Sequence, residues 1–324
     1  MKRRDFVKNS ALASSAFYVP SFLRQFQKTK SFSSRSGKIL VVIQLSGGND
    51  GLNTVVPFNN DIYYKSRPQL NIPKNEVLKL TNDLGFNPNL QGLRTLYDEG
   101  LLSIVNNVGY PNPDRSHFRS MDIWHTASDS NEYLTSGWIG RYLDSYCQDE
   151  APYHALELDD SLSLALKGQD KKGFAMSNPT QLKRMTNNKI LKTISKLGQD
   201  HHDHEHEEVA YLYKTLIDAK SSANYLHEKS KVYKSTVGYP QTAFGKDLKQ
   251  TAELITADND TQIYYLSLTG FDTHANQKNQ QNRLLKQYAD GINAFVQDLQ
   301  KNDLLKDTLI GMGVKSCQTQ VINL

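Results

Sequence analysis

The chain has 324 residues and a formal net charge of +4, from 38 Lys and Arg against 34 Asp and Glu. The basic excess is concentrated in residues 1–30, which leaves the rest of the chain slightly acidic. This distribution argues against nucleic acid as the main partner, because binding to phosphates requires a concentrated basic face on the folded part. After the N-terminus no segment of the sequence is long and apolar enough to span a membrane.

The N-terminal segment "KRRDFVKNSALASSAFYVPSF" has paired arginines, then Phe6 and Lys8, and then a short apolar run with small residues. It resembles a bacterial twin-arginine export signal, and the alternative is the basic start of an amphipathic helix. We therefore predict an export signal and linker over residues 1–30 and a single domain over residues 31–324. The signal predicts export by the twin-arginine machinery to the periplasm or the cell exterior.

The pattern of apolar residues along the chain predicts an α/β fold. The run "KILVVIQL" (38–45) is almost continuously apolar, as in a strand buried on both faces of a parallel sheet. Leucines at helical spacing over residues 89–100 predict a helix, and "LLSIVNNVG" (101–109) predicts a second buried strand. The order strand, loop, helix, strand is typical of a doubly wound α/β domain.

The second half of the chain continues this alternation. The predicted elements are helices starting within 116–146, a short strand near "HALEL" (154–158), mostly helical residues 180–235, a helix over 243–257, a buried strand over 261–268 and an amphipathic helix over 282–302. "LLKDTLI" (304–310) begins a further strand. Because the following "GMGVKSCQTQVINL" is polar and carries two glycines, we expect this strand to break after Ile310.

The first candidate site residue is in the turn "SGGNDGLN" (46–53), directly after the first strand. Gly47 and Gly48 permit a sharp turn that would direct Asp50 into the crevice at the strand ends, where open parallel sheets bind ligands. A carboxylate there is a suitable ligand for a divalent cation. The alternative is that Asp50 bonds its own backbone, a common use of an Asn-Asp-Gly turn.

The segment "GFDTHANQ" (270–277) follows the predicted strand 261–268 in the same way. Asp272 and His274 are two residues apart, so an extended backbone places both side chains on one face. A carboxylate with an imidazole suits zinc or a similar ion. The alternative is that Asp272 caps the following helix and His274 packs beside it. The position of both loops after core strands favours a metal site that Asp50, Asp272 and His274 share.

The third candidate segment is "NPDRSHFRSMDIWH" (112–125). Ser116 opens a predicted helix, whose free N–H groups and dipole favour an anion. This Ser is either a metal-activated nucleophile toward a phosphate or sulfate ester or a plain N-cap. His117 and His125 are ligands, substrate contacts or packed side chains. The tract "DHHDHEHEE" (200–208) is interpreted as a solvated linker, with loose metal binding as the alternative.

Five motifs in this order resemble the domain-of-unknown-function 1501 family: "RRDFVK", "LSGGNDGLNTVVP", "DRSHFRSMDIWHTA", "SGWIGRYLD" and "GFDTHANQ". This family belongs with the alkaline phosphatase and sulfatase-like superfamily. The resemblance implies an alkaline-phosphatase-like three-layer α/β/α sandwich with a mostly parallel central sheet. It also implies Asp50, Asp272 and His274 as ligands of a divalent metal, zinc first, with calcium, magnesium or manganese as alternatives. Ser116 becomes the catalytic nucleophile toward a small-molecule or polysaccharide ester.

The C-terminal part departs from the family pattern. That pattern implies a strand after "LKDTLI", a "SEFGR"-like segment and later a "GTDHG"-like segment, none of which follows here. We therefore expect a truncated or frameshifted copy with an incomplete sandwich, an incomplete metal site and an unpaired sheet edge. The functional hypotheses are an exported metal-dependent hydrolase of phosphate or sulfate esters, a non-catalytic exported binding or surface-assembly protein, and an inactive truncated copy.

Overall fold

The computed structural model describes residues 37–113, 116–147, 151–187, 207–257, 260–314 and 319–323. The predicted export signal and most of the His/acid-rich tract lie outside these residues, so both stay predictions. Within the described ranges, no helix combines the length and the apolar character needed to cross a membrane.

Two β-sheets organise the described part of the chain. The strands are β1 (Ile39–Leu45), β2 (Val55–Val56), β3 (Leu78–Lys79), β4 (Gly85–Phe86), β5 (Ser103–Val108), β6 (Ala155–Glu157), β7 (Phe174–Ala175), β8 (Ile263–Leu268), β9 (Thr308–Val314) and β10 (Thr319–Asn323). The large sheet has the order β5-β10-β9-β1-β8-β6-β7, and the small one has the order β2-β4-β3. The five neighbouring strands from β9 to β7 run parallel, and β10 is antiparallel to both of its neighbours. The prediction of an α/β fold with a mostly parallel central sheet is confirmed.

Helices cover both faces of the large sheet. They are α1 (Asp61–Ser66), α2 (Gln91–Asp98), α3 (His117–Thr126), α4 (Trp138–Tyr146), α5 (Pro179–Thr186), α6 (Glu207–Lys229), α7 (Ala243–Thr256) and α8 (Gln277–Lys301). Apolar residues of α2, α7 and α8 form one core with the sheet, and those of α3 and α4 form a second core on its other face. The layers are therefore helix, sheet and helix, as in an α/β sandwich.

The central strand β1 explains why the run "KILVVIQL" is apolar at almost every position. Val41 and Ile43 belong to one core cluster, whereas Leu40 and Val42 belong to the other. All four are at most 5% exposed. Because successive side chains of a strand point to opposite faces, a strand covered on both sides needs apolar residues without alternation.

The predicted break after Ile310 is wrong. Strand β9 continues to Val314 and pairs in parallel with β1 along its whole length. One of the two glycines that suggested a break makes room for a helix, because a Cβ atom at Gly313 would overlap the indole ring of Trp124 in α3. A glycine inside a strand often marks such a close approach.

The sheet edge also differs from the prediction. Strand β9 is not an unpaired edge, because β10 pairs with it and with β5. The sequence predicts a buried strand here, but among the described strands β5 lies at the end of the sheet, beside β10. Its Val105 is 42% exposed. An edge position explains the mixed composition of this strand, since only part of its surface is covered.

Residues of the motif "SGWIGRYLD" pack α4 against residues 164–171 and form hydrogen bonds with them. A methyl group at Gly140 would overlap the backbone of Lys167 and Gly168, so the two segments touch backbone to backbone. One turn later, the buried carboxylate of Asp144 accepts three consecutive backbone N–H groups of the same segment, at 2.6–3.2 Å. This motif therefore has a structural role in docking α4.

Candidate metal centre

The two predicted site loops meet at the carboxyl ends of β1 and β8. The N–H group of Ser46 donates to the carbonyl of Leu268 at 2.9 Å, and that of Phe271 donates to the carbonyl of Ser46 at 3.2 Å. Gly47 has a φ of +108°, and a Cβ atom there would overlap the backbone nitrogen of Asp272. A glycine is required for both reasons, so the two loops lie directly against each other.

Asp272 is the centre of a cluster of ionisable side chains at this edge. Its Oδ1 atom lies 3.2 Å from Nε2 of His274 and 3.7 Å from Nε2 of His117. Half of the Asp272 side chain is exposed. The alternative in which Asp272 caps the next helix is wrong, because α8 begins at Gln277 with Asn276 as its N-cap. One carboxylate and two imidazoles therefore come together from a loop and a helix.

Ser116 is the N-cap residue of α3. Its hydroxyl oxygen accepts the backbone N–H of Arg119 at 3.4 Å, as the capping interpretation requires. The side chain is exposed and directly precedes His117, whose ring reaches Asp272. The structure thus places Ser116 at the same edge of the sheet as the Asp272 cluster, and its role as a nucleophile stays a prediction.

A buried polar network fixes α3 over the sheet. The Nε2 atom of His125 lies 3.1 Å from Oε1 of Gln44 in β1, and the hydroxyl of Tyr265 in β8 donates to the same oxygen at 2.5 Å. Trp124 donates its indole N–H to the Tyr265 oxygen at 3.2 Å. Burial raises the pKa of Tyr265 well above its usual range, which keeps this hydroxyl a donor. His125 is therefore a packed side chain that holds the helix carrying His117.

Asp50 makes contacts that neither sequence interpretation anticipated. Its Oδ2 atom accepts hydrogen bonds from Nη1 of Arg67 and, at 2.8 Å, from Nε2 of Gln277. The turn that follows receives no side-chain capping bond from Asp50. The Asp50 side chain is 10% exposed, so the ion pair with Arg67 is largely covered.

The side chains at Asp272 fit a divalent metal ion in kind. A carboxylate and imidazoles are common zinc ligands, and the cluster is open to solvent. At Asp50, Arg67 and Gln277 both donate to Oδ2, so this oxygen is committed to them in this arrangement, and the role of Asp50 as a ligand stays a prediction. Across the described ranges, no group of three or more His, Cys, Asp or Glu side chains is arranged to hold a metal ion. Asp272 and His274 are thus the residues that would hold an ion, with His117 as the nearest further donor.

Residues 103–313 match a family model described as a protein of unknown function (DUF1501). The chain belongs to the DUF1501 family. The match includes Ser116, Asp272 and His274 and leaves out Asp50, which precedes it. No curated protein and no solved structure matches the chain.

Two side chains at the site of this DUF1501 protein are not assigned by the sequence interpretation. It leaves His117 open between a ligand, a substrate contact and a packed residue, although its place directly after Ser116 on the first turn of a helix is a signal for the site. Arg67 lies outside every motif of the family resemblance. Its pairing with Asp50 depends on tertiary folding, so no local pattern could have identified it.

A second ionisable group of this DUF1501 protein lies inside the sheet. Glu157 in β6 is 3% exposed, and its Oε2 atom accepts the backbone N–H of Ser163 at 2.6 Å. Burial raises the pKa of this carboxyl from 4.5 to about 7, against the opposing effects of the Ser163 hydrogen bonds and of Lys167. The nearby charge of Asp159 adds to the increase. The carboxyl is thus protonated over a pH range in which an unfolded chain would ionise it.

We expect Glu157→Gln to remove a pH dependence of stability. In the wild type, the folded state binds a proton that the unfolded state releases between about pH 4.5 and about pH 7, so stability falls as the pH rises through this range. The variant keeps an acceptor for Ser163 and carries no charge. At pH 8 it should be more stable than the wild type by about 3 kcal/mol, and near pH 4 the two should be similar. Urea unfolding at both pH values measures this difference.

The matched control is Glu76→Gln, since Glu76 is exposed. This control should keep the wild-type change of stability with pH. If Glu157→Gln and the wild type lost the same stability between pH 4 and pH 8, the buried carboxyl would not be the source of the effect.

Proposed function

We propose that this chain is an exported, divalent-metal-binding hydrolase of phosphate or sulfate esters, with its site at the carboxyl ends of β1 and β8. The observation that supports this function best is the convergence of His117 with Asp272 and His274, within 3.7 Å of the Asp272 carboxylate oxygen. The carboxyl ends of parallel strands are the usual position of ligand sites in α/β domains. Export rests on the arginine-containing motif at the N-terminus.

Each residue of the proposed site has a distinct part. Asp272 and His274 would hold the ion, and a bound divalent ion would polarise the ester oxygen and offset its negative charge. Ser116 would present its hydroxyl to the ester, while the first N–H groups of α3 favour the anionic group. The half-exposed side chains of Asp272 and His117 leave room for a small-molecule or polysaccharide ester.

Zinc titration of the metal-free full chain, followed by calorimetry, tests the ion site. We expect Asp272→Ala to weaken zinc binding by at least about tenfold, because it removes the carboxylate that both imidazoles face. The control is Asp290→Ala, which changes an exposed carboxylate of α8 and should leave zinc binding unchanged. Equal zinc affinity of the wild type and Asp272→Ala would exclude Asp272 as a ligand.

Hydrolysis of aryl phosphate and aryl sulfate esters tests the role of Ser116. Because Ser116 also caps α3, the informative variant is Ser116→Asn, which keeps a capping acceptor and removes the hydroxyl. We expect this variant to bind zinc and melt like the wild type but to lose turnover. Turnover at the wild-type rate in Ser116→Asn would contradict the assignment of Ser116 as nucleophile.

One observation favours the second candidate, a non-catalytic exported binding protein. Within the part of the chain that the structure describes, the ionisable side chains at the strand ends do not form a closed three-residue ligand group. A site with few ligands binds metal weakly. If the purified chain bound zinc and hydrolysed neither class of ester, this second candidate would replace the first.

A further inference from the structure

The ion pair between Arg67 and Asp50 lies at the loop after β1, which touches the Asp272 loop. Both donors to the Asp50 carboxylate, Arg67 Nη1 and Gln277 Nε2, converge on the same oxygen, Oδ2. The backbone carbonyl of Asp50 is held as well, by the hydroxyl of Thr54 at 2.9 Å and the amide of Gln281 at 3.0 Å. Asp50 is therefore fixed on both its side chain and its backbone.

Buried hydrogen bonds hold the segment that contains Arg67 next to Asp50. The hydroxyl of Tyr63 donates to Oδ1 of Asn53 at 2.7 Å and accepts the backbone N–H of Ile72 at 2.9 Å. The amide of Asn53 donates to the carbonyl of Leu70 at 2.7 Å. Tyr63 and Asn53 are at most 5% exposed. The segment before and after Arg67 is thus clamped to the turn that follows β1, and the guanidinium has little freedom to leave.

We infer that Arg67 is the built-in counter-cation of Asp50, which fills the place of a divalent ion there and confines metal binding to the Asp272 loop. The inference deepens the proposed function, because it sets how many ions the crevice holds. It rests on the proposed function for the ion at the Asp272 loop, but the contacts it explains are those of Asp50, so its test does not depend on the Asp272 ligands.

Charge explains why the guanidinium and a divalent ion exclude each other at Asp50. An arginine stays protonated throughout the accessible pH range, so an incoming ion would have to displace a permanent positive charge. The clamped backbone would leave that charge next to the ion, where repulsion in a partly buried position is costly. Without the guanidinium, the carboxylate oxygens of Asp50 would suit a hard ion such as Mn²⁺.

Counting bound Mn²⁺ by electron paramagnetic resonance on the full chain tests the inference. We expect Arg67→Met, which keeps an unbranched stem and removes the charge, to bind one more Mn²⁺ per chain than the wild type. The extra ion should be lost when Asp50→Asn is added to Arg67→Met. The matched control is Arg67→Lys, which retains a positive charge and should bind no extra ion.

Two outcomes would overturn the inference. One is an equal Mn²⁺ count in the wild type and in Arg67→Met when both are folded by circular dichroism. The other is a lower count in Asp50→Asn than in the wild type, because that would make Asp50 a metal ligand despite Arg67. The second measurement applies even if Arg67→Met fails to fold. Adding Asp272→Ala to Arg67→Met should leave the extra ion in place, which separates this result from the zinc test at the Asp272 loop.

Discussion

Gly140→Ala is expected to lower the free energy of unfolding by about 3 kcal/mol or more, because overpacking is most costly where the neighbouring atoms belong to the backbone. The added methyl group would overlap the backbone of Lys167 and Gly168. To remove this overlap, α4 would have to move away from residues 164–171. That movement would also stretch the hydrogen bonds that Asp144 accepts from this segment. Urea unfolding followed by fluorescence and circular dichroism measures the loss.

The control for this prediction is Gly238→Ala. A Cβ atom at Gly238 would meet nothing within 4 Å, so this variant should stay within about 0.5 kcal/mol of the wild type. Comparable stability of Gly140→Ala and Gly238→Ala would show that α4 tolerates a wider gap to residues 164–171.

Asp298→Ala is expected to lower the free energy of unfolding by about 3 kcal/mol, because it leaves the buried hydroxyl of Tyr239 without its acceptor and removes two further hydrogen bonds. Asp298 in α8 is fully buried and accepts the hydroxyls of Tyr239 at 3.0 Å and Tyr233 at 3.1 Å. It also accepts the side-chain amide of Asn302 at 3.2 Å. Burial and the nearby carboxylate raise the pKa of Tyr239 far above its usual range, so this hydroxyl remains a donor in need of an acceptor. Thermal and urea unfolding give the measured loss.

Two further variants separate the loss of these hydrogen bonds from general disturbance of the helix. Asp290→Ala removes an exposed carboxylate of the same helix that pairs with Lys286, and it should cost less than about 0.5 kcal/mol. Combining Tyr239→Phe with Asp298→Ala should cost less than the sum of the two single variants, because the pair shares one interaction. Strict additivity would mean that the hydrogen bond contributes nothing.

A strand or helix of this fold is predictable from the sequence where a single requirement, such as burial of both faces, applies to all of its residues. Strand β1 is apolar at nearly every position because it is covered on both faces, and that pattern is visible without a structure. For strand β9 the sequence prediction fails, because Gly311 and Gly313 weaken a local strand pattern. The reason for at least one of these glycines is the Trp124 ring, which belongs to a helix far away in sequence.

For the candidate site, the sequence predicts the positions of the two loops but not the orientations of their side chains. Both loops were expected at strand ends, and the contact between Gly47 and Asp272 brings them together. The directions of the side chains could not be foreseen, because they depend on partners from elsewhere in the chain. The Asp50 carboxylate accepts hydrogen bonds from Arg67 and Gln277, while the Asp272 carboxylate lies near the ring of His117.

The position of β1 in the sheet also determines when the fold can form during synthesis. Tyr265 bonds Gln44 from 221 positions further along the chain, and Asp307 bonds Lys38 from 269 positions further along. The ribosome must therefore release the chain beyond β9 before the two ladders of β1 can close. Until then at least one edge of the apolar strand β1 is open, and an open strand edge is prone to pair with other chains. Such long sequence separations also slow folding, which lengthens the time for which an edge of β1 stays unpaired.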